Sequence, residues 1–174
     1  MRAGRLLYLF LIAAAVVLPL RAWVIEAIYI PTASMEPTLP VGRHLFCDKL
    51  TLRWRRPRRG DIIVFRPPIE VGGEQAEQMV KRVIGLPGET VELRHKRVFI
   101  DGKPLQEDYV EHTRPGERLE GDDLGPIVVP PDSYFVLGDN RDESNDSSVW
   151  RDAKGRHVYF ISAAEIVGLV RGVY

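Results

Sequence analysis

The first part of the chain is a long hydrophobic segment. Residues from Leu6 to Leu20 are apolar and uncharged, and the segment extends to Ile25 if the Arg21 guanidinium reaches the lipid head groups. As a helix, residues 6–25 would be about 30 Å long, which matches the hydrocarbon core of a bilayer. This pattern predicts a transmembrane anchor at residues 6–25. A cleaved secretory signal is the alternative, but no A-x-A-like site follows the segment.

The charges that precede this segment predict its orientation. Arg2 and Arg5 lie just before it, and positively charged residues favour the cytoplasmic side of a membrane. We therefore expect residues 1–5 in the cytoplasm and residues 26–174 on the outer side.

Beyond Ile30 the hydrophobic pattern becomes short and alternating, which is typical of β-strands. "TVELRHKRVFIDGKPL" (90–105) predicts a hairpin followed by a turn at Asp101-Gly102. "GDIIVFRPP" (60–68) predicts a strand that ends at Pro67 and Pro68, one or two further strands are expected in 127–140, and a short turn with a final strand is expected in 163–174. A 3.6-residue period does not persist. The predicted fold is mainly β, a folded-over antiparallel sheet or barrel-like domain.

Composition and charge exclude several function classes. Lysine plus arginine equals aspartate plus glutamate, 24 each, so the net charge does not favour a nucleic-acid partner. A basic run, "RWRRPRR" (53–59), could contact anionic lipid head groups or be a solvated loop. The lone Cys47 excludes an intrachain disulfide. The histidines lack metal-ligand spacing and "DNRDESND" fails the calcium-loop pattern, so we expect no metal and no cofactor.

The segment "YIPTASMEPTLP" (29–40) raises the question of whether Ser34 is a capping residue or a nucleophile. Its prolines predict a rigid, extended loop. A Ser-His-Asp triad is unsupported, which leaves lysine as the candidate base. Lys81 differs from the other lysines because period-2 alternation puts it on one face with Met79 and Val83. Burial there would lower its pKa. An ordinary strand-edge lysine remains the alternative.

Taken in order, four stretches resemble type I signal peptidases, the membrane-anchored serine proteases of protein export. "IPTASMEPTL" is similar to the nucleophile segment of that family and "GDIIVFRPP" to its next strand. "VKRVIGLPGE" is similar to its lysine segment, and "LGDNRDESNDS" to its final signature. "FISAAEIVG" also resembles the closing segment of the family.

The resemblance implies a function and a set of roles. Ser34 would attack the scissile carbonyl and neutral Lys81 would take its proton. The Ser34 N–H and the Thr32 hydroxyl would hold the oxyanion, and Ser144 would hydrogen-bond and orient the lysine. The substrates would be signal-peptide-bearing preproteins, cut after small A-x-A-like residues by an outward-facing domain on the cytoplasmic membrane. The resemblance further implies structural signature residues (Gly138, Asp139, Asn140 and Asp146) and shallow pockets lined by Ile30, Met35, Leu39 and Val80.

One position departs from the family pattern. The arginine that the family has after Asp-Ser, where it would pair with Asp146, is Ser148 here. A buried carboxylate without a partner is costly. We expect that Arg151 or Arg156 supplies the missing charge, or that Asp146 is more solvated than in relatives.

Two other function classes remain open at this stage. One is a membrane-anchored β binding module or an inactive homologue, for which Ser34 would be dispensable. The other is a self-cleaving Ser-Lys regulator of the SOS-repressor type, although those act in the cytosol and this chain carries a predicted anchor. The oligomeric state is not predicted.

Overall fold

The structure is a computed structural model that describes residues 2–23, 25–68, 71 and 77–174. Helix α1 covers Arg2–Trp23 and is followed by β1 (Ile25–Tyr29) and β2 (His44–Asp48). The central strands are β3 (Ile62–Phe65) and β4 (Met79–Gly85). A hairpin unit follows: β5 (Thr90–Arg94), β6 (Arg97–Ile100) and β7 (Lys103–Pro104). The last strands are β8 (Leu124–Val128), β9 (Ser133–Leu137), β10 (Ile161–Ser162) and β11 (Ile166–Val173).

The strands form two antiparallel sheets. The first has the order β1-β2-β11-β3-β4-β9-β10, and the second has the order β7-β6-β5-β8. In the predicted hairpin Val91 pairs with Ile100 and Leu93 with Val98. His95 and Lys96 form its two-residue turn with φ values of 49° and 67°, as a type I′ turn requires. The mainly β, antiparallel prediction is confirmed.

Strands β4 and β9 are buried on both faces, because each contributes alternate residues to two hydrophobic clusters. Val83 and Val136 pack with Trp150 in one cluster, and Met79 lies against the same cluster. On the other face, Ile84 and the neighbouring residues of β9 pack against the second sheet. Since Lys81 lies between Met79 and Val83, its side chain emerges on the Trp150 side.

The predicted anchor falls on α1, except for its last two residues. The side chains from Leu6 to Ile12 are exposed on this helix. Among the residues that the structure describes, no helix has the length and apolar character needed to cross a bilayer. Val24, within the predicted 6–25 span, lies outside the described residues.

Candidate active site

Ser34 lies in a short 3₁₀ turn, Ala33–Met35, that is fixed by its neighbours. Met35 and Leu39 are nearly inaccessible to solvent and pack in a third hydrophobic cluster with Leu45 and Val64. The Leu39 N–H donates to the Met35 carbonyl at 2.8 Å, which closes the segment on itself. The prolines on both sides restrict the backbone further. The buried Ser34 hydroxyl is therefore held in one place by packing.

Lys81 projects from β4 toward this serine. Its side chain is buried, at 4% exposure, and its Nζ donates to the Ser34 Oγ at 2.7 Å. Burial lowers the pKa of Lys81 to about 8, against the opposing effects of the Asp146 and Asp139 carboxylates. The structure thus joins the two residues that the sequence pattern selected, although they are far apart in the chain.

Thr32 and Ser144 are placed differently with respect to this pair. The Thr32 Oγ1 lies 3.2 Å from the Ser34 Oγ. The Ser144 Oγ is buried and has no hydrogen-bond partner among the described residues. The structure therefore does not contain the expected hydrogen bond from Ser144 to Lys81.

The signature residues from 138 to 140 pack directly against the serine backbone. The Asn140 N–H donates to the Ser34 carbonyl at 3.2 Å. A Cβ at Gly138 would collide with both the Ser34 carbonyl and the Ser144 hydroxyl. Glycine at 138 is therefore required for this close approach of the two segments.

Asp139 is held by an arginine that the sequence analysis did not single out. Arg82 donates from Nε to Asp139 Oδ1 at 2.7 Å and from Nη2 to Oδ2 at 2.5 Å. The Thr38 hydroxyl donates to the same carboxylate, and the guanidinium stacks over the Tyr109 ring at 3.8 Å from its centre. The signal was present in the sequence, since Arg82 follows Lys81 and must therefore point to the opposite side of β4.

The prediction that Arg151 or Arg156 pairs with Asp146 is wrong. Arg151 pairs with Glu120 at 2.9 Å, and Arg156 pairs with Asp152 at 2.7 Å. Asp146 is not solvated either, because it is only 1% exposed. Its acceptors are used locally instead: it receives hydrogen bonds from the Gly138 N–H, the Ser148 N–H and the Ser148 hydroxyl, at 2.9, 3.1 and 2.8 Å. The serine that replaces the family arginine is itself the partner.

A cavity of about 510 Å³ opens beside the Ser34–Lys81 pair. The four residues expected to form the substrate pocket all line it: Ile30, Met35, Leu39 and Val80. Polar residues line other parts of its wall, among them Glu77, Glu143 and Asn145. Within the described part of the chain, no group of three or more metal-ligating side chains comes together.

A serine hydroxyl beside a buried lysine of lowered pKa, at the edge of an apolar cavity, is the arrangement that a serine peptidase with a lysine base requires. Comparison with known proteins identifies the family. The profile of the signal peptidase family, peptidase S26, matches residues 3–174. The chain belongs to this family and is thus a serine endopeptidase.

Two relatives agree in sequence with this assignment. Signal peptidase I of Leptolyngbya laminosa is 44% identical over 142 residues, which are 80% of this chain and 67% of that protein. The probable signal peptidase I-2 of Synechocystis is 40% identical over 139 residues, which are 79% of this chain and 61% of that protein. A crystal structure of signal peptidase I from Enterococcus faecalis is 34% identical, with a TM-score of 0.49 over 67% of this chain and 98% of that one.

The local satisfaction of Asp146 predicts which substitutions destabilise the fold. Ser148→Ala removes a hydroxyl donor from a buried carboxylate and should lower the free energy of unfolding by about 1–3 kcal/mol. Arg151→Ala and Arg156→Ala, whose ion pairs are on the surface, should leave it almost unchanged. Urea unfolding of the three variants in detergent measures the difference. A loss for Arg151→Ala or Arg156→Ala as large as that for Ser148→Ala would contradict this account.

Proposed function

We propose that this protein is a membrane-anchored peptidase that removes signal peptides from exported preproteins, with Ser34 as nucleophile and Lys81 as general base. One observation carries the proposal: the Lys81 Nζ lies 2.7 Å from the Ser34 Oγ while its side chain is buried. A lysine can act as a base only in its neutral form, and burial makes that form accessible near neutral pH.

The chemistry follows from this pair. Neutral Lys81 takes the Ser34 proton as the oxygen attacks the scissile carbonyl, and the resulting ammonium delivers the proton to the leaving amine. The signal peptide remains esterified to Ser34 until Lys81 activates a water that hydrolyses the ester. The Thr32 hydroxyl, 3.2 Å from the Ser34 Oγ, supports a role in holding the oxyanion together with the Ser34 N–H.

Ser144 belongs to the proposed site as a supporting residue. Its hydroxyl is buried and unpartnered among the described residues, and it lies where a side chain at Gly138 would meet it. A buried hydroxyl costs free energy unless it finds a partner. We propose that this partner forms in the substrate complex, where Ser144 orients the lysine for proton transfer.

The cavity supports a preference for small side chains before the scissile bond. The contributions of Ile30, Met35, Leu39 and Val80 are apolar, and Ile30, Met35 and Leu39 are at most 4% exposed. Such a wall cannot yield without repacking the cluster beneath it. We propose that an A-x-A-like segment binds there in extended form, with short side chains in the shallow apolar positions.

The membrane anchor at residues 6–25 is proposed on the exposed apolar side chains of α1 from Leu6 to Ile12. The N-terminus would be cytoplasmic and residues 26–174 extracytoplasmic. Ile25, just after α1, pairs with Asp48, the last residue of β2. The basic run that follows β2 in the chain therefore begins close to the end of α1. Trp54 in that run is 86% exposed, which supports contact with lipid head groups and the membrane interface.

Substitution of the proposed dyad should abolish cleavage. Ser34→Ala and Lys81→Ala should each remove detectable processing of a preprotein with an A-x-A site, whereas Lys103→Ala, at an exposed lysine of β7, should be without effect. Thr32→Val should lower kcat by about 10²–10³-fold with little change in KM. Gel-based cleavage with detergent-solubilised protein measures all four. Processing that survives either dyad substitution would refute the mechanism.

The pH dependence should report the lysine. Below its pKa Lys81 is protonated and cannot accept the serine proton, so kcat/KM should rise as pH increases through about 8 and then level off. Cleavage of a substrate without titratable groups near the scissile bond, measured from pH 6 to 10, tests this. An optimum on the acidic side would contradict a lysine base.

A membrane-spanning helix should make the protein resistant to extraction from the membrane. The full-length chain should stay with the membrane pellet after alkaline carbonate treatment and enter solution only with detergent, because a spanning helix inserts almost irreversibly. Immunoblotting of the fractions is sufficient. Release by carbonate alone would rule out the anchor.

A further inference from the structure

A lysine of the second sheet reaches the loop beside the proposed nucleophile. Lys96 lies in the type I′ turn between β5 and β6, and its side chain is only 13% exposed. Its Nζ donates to Asp142 Oδ1 at 2.6 Å and to the Arg114 carbonyl at 3.1 Å. The Asp122 carboxylate lies 3.6 Å away.

The side chain of its partner Asp142 is buried. The second carboxylate oxygen of Asp142 accepts from the Arg114 N–H at 2.6 Å, and the His112 Nδ1 lies 3.6 Å from the first. Burial alone would raise the pKa of Asp142, but the hydrogen bonds from Lys96 and the Arg114 N–H outweigh it and hold the pKa below its ordinary value. Asp142 is therefore a buried anion whose charge is compensated mainly by Lys96.

Asp142 occupies the middle of a 3₁₀ turn, Arg141–Glu143, and the residues on either side of this turn contact segments of the proposed site. On one side the Asn140 N–H donates to the Ser34 carbonyl. On the other side the Ser144 hydroxyl is packed against the segment that contains Gly138. A shift of this turn would therefore move both contacts at once.

We propose that Lys96 is a positioning residue for the cleavage reaction, acting through Asp142 on the Arg141–Glu143 turn. This inference rests on the proposed function of Ser34 and Lys81. Stability alone is a poor explanation of the pair, because a buried ion pair contributes little net free energy compared with apolar residues of similar size. A fixed geometry next to the reacting atoms is a better one, since a displacement of 1 Å can cost about 100-fold in rate.

The tight packing around Ser148 also holds Lys96 in place. Ser148 and Lys96 line the same small void, of about 10 Å³. The loop over that void is tight, since a Cβ at Gly121 would come within 2.5 Å of the Ser148 Oγ. The Lys96 N–H holds the loop by donating to the Asp122 carbonyl at 3.0 Å. Lys96 is thus fixed at its backbone by the loop that contains Asp122 and at its ammonium by Asp142.

The test compares two Lys→Met substitutions. Lys96→Met should lower kcat about 10–100-fold and leave KM nearly unchanged, because the apolar cavity wall is untouched. Lys49→Met is the matched control: Lys49 also forms an ion pair, with Glu26 at 2.7 Å, and among the described residues this ion pair does not involve the site, so kcat and KM should both stay at wild-type values. Steady-state cleavage of an A-x-A peptide gives both constants.

Further variants separate positioning from general destabilisation. Lys96→Arg, which keeps the charge, should recover most of kcat, and Lys96→Met combined with Asp142→Asn should lose no more kcat than the worse single variant. Should Lys96→Met fail to fold, Lys96→Gln, which keeps a donor to Asp142 without the charge, carries the same kcat comparison. A lower melting temperature with unchanged kcat would overturn the proposal, as would equal kcat losses for Lys96→Met and Lys49→Met.

The outcome is distinguishable from failure of the proposed function. Cleavage by the wild type that disappears in Ser34→Ala, together with an unaffected Lys96→Met, refutes only the positioning role. Absence of cleavage by the folded wild type on an A-x-A preprotein refutes the proposed function and the positioning role together.

Discussion

The arrangement of the whole site depends on keeping water away from one ammonium group. Lys81 has a lowered pKa because β4 lies inside the first sheet, with β3 on one side and β9 on the other. The hydrophobic cluster around Trp150 seals that face of the strand. The Ser34 turn, itself fixed by buried Met35, covers the end of the lysine. Sheet order, cluster and turn therefore serve the same physical requirement, which is desolvation.

Desolvation would fail if a carboxylate paired directly with the lysine, because such a pair would hold the proton on Nζ. Two carboxylates are close enough to raise the pKa of Lys81, namely Asp139 and Asp146. Each of them has its own partner: Arg82 neutralises Asp139, and main-chain N–H groups and Ser148 satisfy Asp146. The period of two along β4 makes the first arrangement possible, since it separates Lys81 and Arg82 onto opposite faces.

Features that depend on residues close together in the chain could be predicted from the sequence. The β5–β6 hairpin and its register follow from alternation around His95-Lys96, and the apolar neighbours of Lys81 mark it as the lysine able to lose its charge. Ion pairs between residues far apart in the chain could not be predicted in this way. Lys96 and Asp142 are 46 positions apart, and nothing in either neighbourhood indicates the other. Arg151 and Arg156 were expected to reach Asp146 for the same reason: proximity in sequence was the only guide, and their nearer partners on the surface were not visible in it.

The serine at 148 has a consequence for the electrostatics of the dyad. It satisfies Asp146 with a hydrogen bond of 2.8 Å but adds no positive charge, so the field of that carboxylate at Lys81 is not cancelled. A negative charge favours the protonated lysine, whereas burial favours the neutral one. The pKa of about 8 is the balance of these two effects, with burial the larger. Lys96 is bound to Asp142 and lies close to Asp122, so its charge is offset locally. Lys96 thus holds the Arg141–Glu143 turn, whereas the pKa of Lys81 is set mainly by its burial in β4.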